Sequence, residues 1–253
     1  MIFSEGRGRD GVGTGISPSL LSCKFMARKA REFYKGGFWH VFNRGITKEV
    51  VFRREDDFRF YLYKVKESLK KFPVAVHAYN LIPNHVHYLI EQNTDVSPGK
   101  FIGSVHGSFG LVFNRKYTRA GPLFQDRFKA NHIENDEHLL NISFYVNLNK
   151  VLEKLQHFDR SLIVSKGDIE KLLEEAEKDA WSSYPVYLGL RDDQITQTKF
   201  VLSLLSDDIK KAQQEYRKMA KDFIVSGHFL KTRDLEFEGD GDGVGTGISP
   251  SPS

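Results

Sequence analysis

The stretch that decides the fold is Val74–Gln92, VAVHAYNLIPNHVHYLIEQ. Two apolar-rich runs, Val74–Ile82 and His85–Gln92, flank Pro83-Asn84. Proline removes a backbone donor and fixes φ, and asparagine favours turns, so the runs read as two strands broken at this pair. Side chains alternate along a strand, so His85 and His87 point to one face. Two adjacent imidazoles are half of a divalent-metal site. A surface strand can show the same H-x-H pattern with no ligand role, so the pair needs a second element to give it meaning.

Working outward, FWHVFNRG (Phe38–Gly45) alternates and predicts a strand. Glu55–Phe72 places Phe58, Leu62, Val65 and Leu69 at helical spacing, with acids in its first turn and lysines in its last. Ser97–Tyr117 predicts a helix capped by Ser97 with Pro98 at its first position, although its glycines weaken it. Asp126–Glu134 predicts a strand, and Asn135–Leu155 a helix with an Asn/Asp start. A helix near Ile169–Ala180, the aromatic stretch WSSYPVYLG, and two helical segments between Gln197 and Phe223 follow. Strands interleaved with helices predict an α+β domain, an antiparallel β-sheet flanked by α-helices with extra C-terminal helices. The expected boundaries are a disordered extension over 1–25, a main domain over 26–195, a helical segment over 196–233 and a disordered Gly/Ser/Pro tail over 234–253.

The chain has 253 residues, 40% hydrophobic and 13% aromatic, enough for a sizeable core. Its single cysteine, Cys23, excludes an intramolecular disulfide and fits a reducing compartment. No apolar run approaches the roughly 18 residues of a membrane span. The opening MIFSEGRGRD lacks the apolar core of a secretory signal. The net charge of +4 hides an asymmetry. From Met26 to Ile133, 19 Lys/Arg face 9 Asp/Glu, a balance of +10; from Glu134 onward 15 face 22, a balance of −7. A basic half suits a polyanion such as nucleic acid, against the plainer reading of solvated surface charge. Lys100 to Asn131 holds six Lys/Arg and one acid. Arg115, Lys116, Arg119, Arg127 and Lys129, with Gln125, are candidates for a backbone groove, and Asn43 and Arg44 at the end of the first strand join them. Trp39, His40, His77, His106 and His132 read as packing or satisfied polar residues.

Tyr145 and Asn149 lie four apart on the Asn135–Leu155 helix and therefore share a face. An Asn carboxamide oxygen is a hard metal ligand, and a Tyr hydroxyl is a possible nucleophile. The plainer reading makes Phe144, Tyr145 and Leu148 core, with Asn147 and Asn149 solvated.

Taken together, HVFNRG (His40–Gly45), HAYNLIPNHVHYLIE (His77–Glu91), FNRKY (Phe113–Tyr117), GPLFQDRFKA (Gly121–Ala130), NDEHLLNISFYVNLN (Asn135–Asn149) and WSSYPVYLG (Trp181–Gly189) resemble the REP-associated tyrosine transposases of the HUH single-tyrosine superfamily. The resemblance covers about Ala30 to Gly189 and persists more weakly through VLSLLSDDIKKAQQEYRKM (Val201–Met219). It implies an HUH-type, ferredoxin/RRM-like fold. It implies that His85, His87 and Asn149 hold one Mg²⁺ or Mn²⁺, that Tyr145 is the nucleophile, and that single-stranded hairpin DNA is cut and rejoined through a 5′-phosphotyrosine. Two imidazoles favour Mn²⁺ by affinity, while abundance favours Mg²⁺. The family usually has Asn-Pro where this chain has Asn149-Lys150, which bears on how the helix ends. The resemblance further implies a cytoplasmic, nucleoid-associated protein, monomeric or homodimeric. The alternatives are a replication-initiator or relaxase-type HUH nuclease, and a domesticated non-catalytic nucleic-acid-binding protein on the same fold. A cyclic-phosphodiesterase reading needs two H-x-[ST] motifs, which the chain lacks.

One decapeptide, DGVGTGISPS, occurs at Asp10–Ser19 and again at Asp242–Ser251. It is too poor in large apolar side chains to build a core, and two distant copies do not make a solenoid. The reading preferred over a flexible linker or tag-like tail is palindromic repeat DNA translated in frame. Gly245-Thr246-Gly247 can be read from GGG ACT GGG, and Pro250-Ser251-Pro252 from the reverse complement CCC AGT CCC, with Ile248-Ser249 as loop. At roughly 1.4 kcal/mol per stacked step such a stem gains on the order of 10 kcal/mol before loop closure. On this reading Met26 is the native start and residues 1–25 are upstream repeat DNA.

Overall fold

A computed structural model of the chain describes residues 32–157, 166–227 and 229. The expected extension over 1–25, the tail over 234–253, both copies of the decapeptide, Cys23 and the Met26 start lie outside the described residues. The chain begins β1 (Phe38–Arg44), α1 (Glu55–Lys71), β2 (Ala75–Ile82), β3 (His85–Glu91), α2 (Pro98–Lys116), β4 (Lys129–Ile133). The four strands form one antiparallel sheet in the order β2-β3-β1-β4. A β-α-β-β-α-β chain with the first strand inside the sheet is the ferredoxin-like arrangement. The chain is thus α+β, an antiparallel sheet flanked by helices.

Local chemistry sets the boundaries. Gly45 ends β1 at a close turn, where a Cβ would meet the Glu49 carbonyl at 2.1 Å. α1 opens on Glu55, Asp56 and Asp57 and closes on Lys70 and Lys71, complementing its dipole. Ser97 Oγ accepts from Gly99 N at 3.1 Å, with Pro98 at the first position of α2. The glycines of α2 do not break it, because Phe101, Ile102, Val105, Phe109 and Phe113 form a continuous buried stripe. α1 and α2 cover the sheet face that presents Val41, Val86, Tyr88 and Ile90.

The opposite face belongs to α3 (Asp136–His157), which starts where Asn135 Oδ1 accepts from His138 N at 2.9 Å. It packs Ile142, Tyr145 and Val146 in one core with Ala78 and Leu89. α4 (Lys166–Glu177), α5 (Tyr184–Tyr187), α6 (Lys199–Ser203) and α7 (Ile209–Ser226) join the same core through Leu173, Tyr184, Tyr187, Val201, Leu202 and Tyr216. The described residues from Phe33 onward fall in one compact unit. The stretch after α4 also covers the free edge of β2, by bridges Asn80–Ser182 and Val76–Thr196. Among the described residues no helix is long and apolar enough to cross a membrane.

Candidate active site

Antiparallel pairing sets His87 opposite Phe42 on one side and Asn80 on the other, and His85 opposite Arg44 and Ile82. Both imidazoles rise from the sheet face under α3. That helix brings Tyr145, Asn149 and Glu153 down at four-residue spacing, hence on one face. His85 Nε2 lies 3.3 Å from Asn149 Oδ1 and 3.5 Å from Glu153 Oε1. The His85 and His87 rings meet edge to face at 4.8 Å. Tyr145 stands edge-on to His87 at 5.9 Å and to His40 at 5.6 Å. The structure thus brings His85, His87, Tyr145 and Asn149 together. It departs from the plainer reading of solvated asparagines: Asn149 is buried, and so is Asn147. Tyr145 is only 2% exposed, so its hydroxyl must be uncovered before a large substrate reaches it.

Three residues of this site escape sequence reasoning. Asn84 Oδ1 takes a hydrogen bond from His85 Nδ1 at 2.7 Å. His40, read from sequence as packing, shares a 3.1 Å hydrogen bond between its Nε2 and His87 Nδ1 and stacks on that ring. Glu153 faces His85. The signals existed: His40 alternates with Phe42 on β1, and Glu153 is eight residues beyond Tyr145 on a helix.

Burial sets the protonation states. It pushes His40 down to about 3, helped by nearby His138. It holds His87 well below the ordinary histidine value, with His85 and His40 adding to the effect. His85 is lowered by burial too, partly offset by Glu153 and by its bond with Asn149. Neutral imidazole is the form that ligates metal. His85 Nδ1 faces Asn84 Oδ1, and its Nε2 faces the Asn149 and Glu153 oxygens. Two imidazoles and a carboxamide oxygen on one side of the sheet are donor types that a divalent ion takes. Among the described residues no three His, Cys, Asp or Glu side chains converge on one ion position. The set needs the carboxamide of Asn149.

The nucleic-acid candidates divide. Arg44 Nε donates to Gln125 Oε1 at 2.6 Å, beside His85 at the end of β1. Arg115 and Arg127 are exposed, and Lys129 is half-buried on β4. Lys116 is committed to Asp57 at 2.7 Å, and Arg119 to Glu49 at 2.9 Å and the Pro122 carbonyl at 2.7 Å. Asn43 is buried, accepting from Arg44 N at 3.0 Å and donating to the Asp126 carbonyl at 3.2 Å. Lys116, Arg119 and Asn43 therefore serve the scaffold as they stand. His106 and His77 are satisfied inside the fold, against Tyr61 and against Glu91 with the Gln197 carbonyl.

The sheet, both histidines, Tyr145 and Asn149 all lie within the segment that matches a known family. Residues 33–149 match the family described as IS200-like transposases, and this part of the chain is a domain of that family. No curated protein matches the chain. Structural comparison finds a REP-associated tyrosine transposase bound to a REP hairpin, at 15% identity over 66% of this chain and 90% of that one, with a TM-score of 0.47. It also finds a putative transposase from Deinococcus radiodurans R1, at 10% identity over 51% of this chain and 96% of that one, with a TM-score of 0.34.

Proposed function

We propose that the chain is a tyrosine endonuclease and strand transferase that cleaves and rejoins single-stranded hairpin DNA. The observation that carries this reading is the placement of Tyr145 and Asn149 on one face of α3, directly over His85 and His87. His85, His87 and Asn149 would hold Mg²⁺ or Mn²⁺. When bound, the ion supplies charge neutralisation at a phosphate oxygen in the in-line transition state.

The remaining work falls to the chain. Tyr145 Oη attacks phosphorus and gives up its proton; the P–O3′ bond breaks, and the 3′-oxygen takes a proton. The products are a 5′-phosphotyrosine and a free 3′-hydroxyl. Attack by another 3′-hydroxyl reverses the step and rejoins the strand with no net loss of phosphodiester bonds. A phenol with a reference pKa near 10 is a weak nucleophile at neutral pH, so positioning must contribute much of the rate. α3 does that positioning. His40 holds His87 through its Nδ1, and Asn84 holds His85 through its Nδ1. Arg44 and Gln125 stand beside His85, where a scissile phosphate or its neighbour would lie. A DNA substrate places the protein with the nucleoid.

The burial of Tyr145 favours a second reading, a nucleic-acid-binding protein that keeps the scaffold without catalysis. One experiment separates them. Purified protein is incubated with Mg²⁺ or Mn²⁺ and labelled single-stranded hairpin DNA, and adducts that survive denaturation are resolved. The catalytic reading expects an adduct with the wild type and none with Tyr145→Phe. Hairpin binding with no adduct under either ion establishes the second reading.

A further inference from the structure

We propose that Phe42 is the residue on which a DNA base beside the scissile phosphate stacks. The inference deepens the function proposed above and rests on it.

Three observations carry it. First, Phe42 belongs to neither apolar core. It is half-buried on β1, an inner strand of the sheet. Its ring neighbours are imidazoles: His40 at 5.0 Å and His87 at 5.8 Å, centroid to centroid. The three rings stand within 33° of parallel. A phenylalanine that serves only the fold buries its ring among apolar side chains, as Phe52, Phe101 and Phe109 do.

Second, the cover of the sheet fades at this ring. Antiparallel pairing places Asn80, His87, Phe42 and Lys129 in one row across the four strands, on the α3 side. α3 packs over β2 and β3, in one core with Ala78 and Leu89. Asn80 is accordingly 0% exposed and His87 2%, whereas Phe42 and Lys129 are half-buried. Part of an aromatic ring thus stays open beside the helix that carries Tyr145.

Third, the ring lies next to the reacting groups. His40 and His87 are the same two rings that Tyr145 meets edge-on, at 5.6 Å and 5.9 Å. Phe42 and Tyr145 therefore flank one pair of imidazoles. Arg44 follows two residues along β1 on the same face, and Lys129 stands opposite Phe42 on β4. Cations on two sides of an aromatic ring are the setting in which a base stacks while its backbone follows the charge.

Stacking gives this residue a particular kind of work. Every base has a π-face, so Phe42 holds a base without reading its identity. It fixes the register of the strand, and with it which phosphate comes to Tyr145. Sequence choice is left to other contacts.

The test is a binding cycle between side chain and base. The full chain carries Tyr145→Phe throughout, so the strand stays intact, and Mg²⁺ is present. The probes are fluorescein-labelled hairpin DNAs with single-stranded flanks, in which one flank position at a time is made abasic. Phe42 is compared with Phe42→Leu, which fills space without a ring, and Phe42→Tyr, which keeps the ring; thermal midpoints are recorded without DNA. With Phe42, one abasic position should weaken the Kd by about five- to 150-fold, the worth of one base on one ring. Phe42→Leu should lose a similar factor on the intact probe and show no further loss at that position, while Phe42→Tyr should behave as the parent. Phe42→Leu that binds the intact probe as the parent does, with the adduct still formed by the wild-type chain, overturns the inference and leaves the proposed function standing. A lowered midpoint in Phe42→Leu with equal losses at every probe position makes Phe42 a prop for His87 and also overturns it. A parent protein that binds no hairpin probe removes both readings.

Discussion

His40 shows how much of this site hangs on one side chain. It is 1% exposed and lies against His87 through a hydrogen bond between ring nitrogens. Leucine at 40 leaves His87 Nδ1 buried beside an apolar group, which costs about 1–3 kcal/mol. Urea denaturation should show that loss, and if His87 holds the ion as proposed, Mn²⁺ affinity should fall roughly 10–100-fold. His40→Gln retains a polar group and should restore most of both. Asp57 makes a second case at this scale. Its carboxylate accepts from Arg53 N at 2.9 Å, Arg54 N at 3.0 Å, Lys116 at 2.7 Å and Tyr117 at 2.8 Å. Burial pushes its pKa up, but these four bonds outweigh burial and hold it below the ordinary carboxylate value. A depressed folded pKa means stability present above the unfolded value near 3.9 and lost as pH falls through the folded value. Asp57→Asn should cost about 2–4 kcal/mol at pH 7. Paired urea titrations should show the gap between variant and wild type closing below about pH 4. Sequence periodicity shows His85 with His87, and Tyr145 with Asn149, because alternation and the helical turn each fix a face. Alternation puts His40 on the Phe42 face but does not show its partner, and it cannot show Asp57, because those partners come from strands and helices far away in the chain.

Between elements, the position of α3 is what converts two separate motifs into a site. Asn147, one residue pair away from Tyr145 and Asn149, locks that position. Its Nδ2 donates to Tyr216 of α7 at 2.8 Å, and Ser183 Oγ donates to its Oδ1. Its backbone carbonyl takes Asn80 of β2 at 3.0 Å and Ser182 at 2.8 Å. Tyr216 also meets Ser143 at 3.0 Å, so one phenol ties two turns of α3 to α7. Tyr216→Phe keeps the ring packing against Tyr187 and Phe144 and removes only the hydroxyl. It takes the acceptor from buried Asn147 Nδ2, while Ser143 Oγ keeps its bond to the Leu140 carbonyl, and should cost about 1–3 kcal/mol in urea denaturation. Adduct yield should fall with it, because loosened α3 carries both Tyr145 and Asn149. The helices and strands themselves were readable from caps and periodicity, with ends shifted by one to three residues. The WSSYPVYLG stretch was not, because its structure comes from bridging the edge of β2 and filling the α3–α7 core, not from a repeat of its own.

At the scale of the whole molecule, the basic half of the chain contains all four strands of the sheet, and the cations of interest for a ligand are those outside the Lys116–Asp57 and Arg119–Glu49 ion pairs. Lys116 and Arg119 look equivalent to Arg115 and Arg127 in the sequence, yet the fold sets them against Asp57 and Glu49. Charge counting cannot separate these groups, since the separation depends on which carboxylates the loops bring near. Hairpin affinity measured against salt does separate them. Each phosphate contact contributes roughly 0.7–0.9 to the slope of log K against log salt, the lower figure for single strands. Arg44→Ala, Arg115→Ala and Arg127→Ala should each weaken hairpin binding and flatten that slope by about one contact's worth. Lys116→Ala and Arg119→Ala should leave the slope within error and lower the thermal midpoint instead, because each leaves a carboxylate unpaired. Flattened slopes for the second pair with unchanged midpoints would place the DNA path over the end of α2 rather than beside His85. That outcome would also separate the bound phosphates from Tyr145, since the two ends of the argument meet at Arg44 and His85 on the same edge of the sheet.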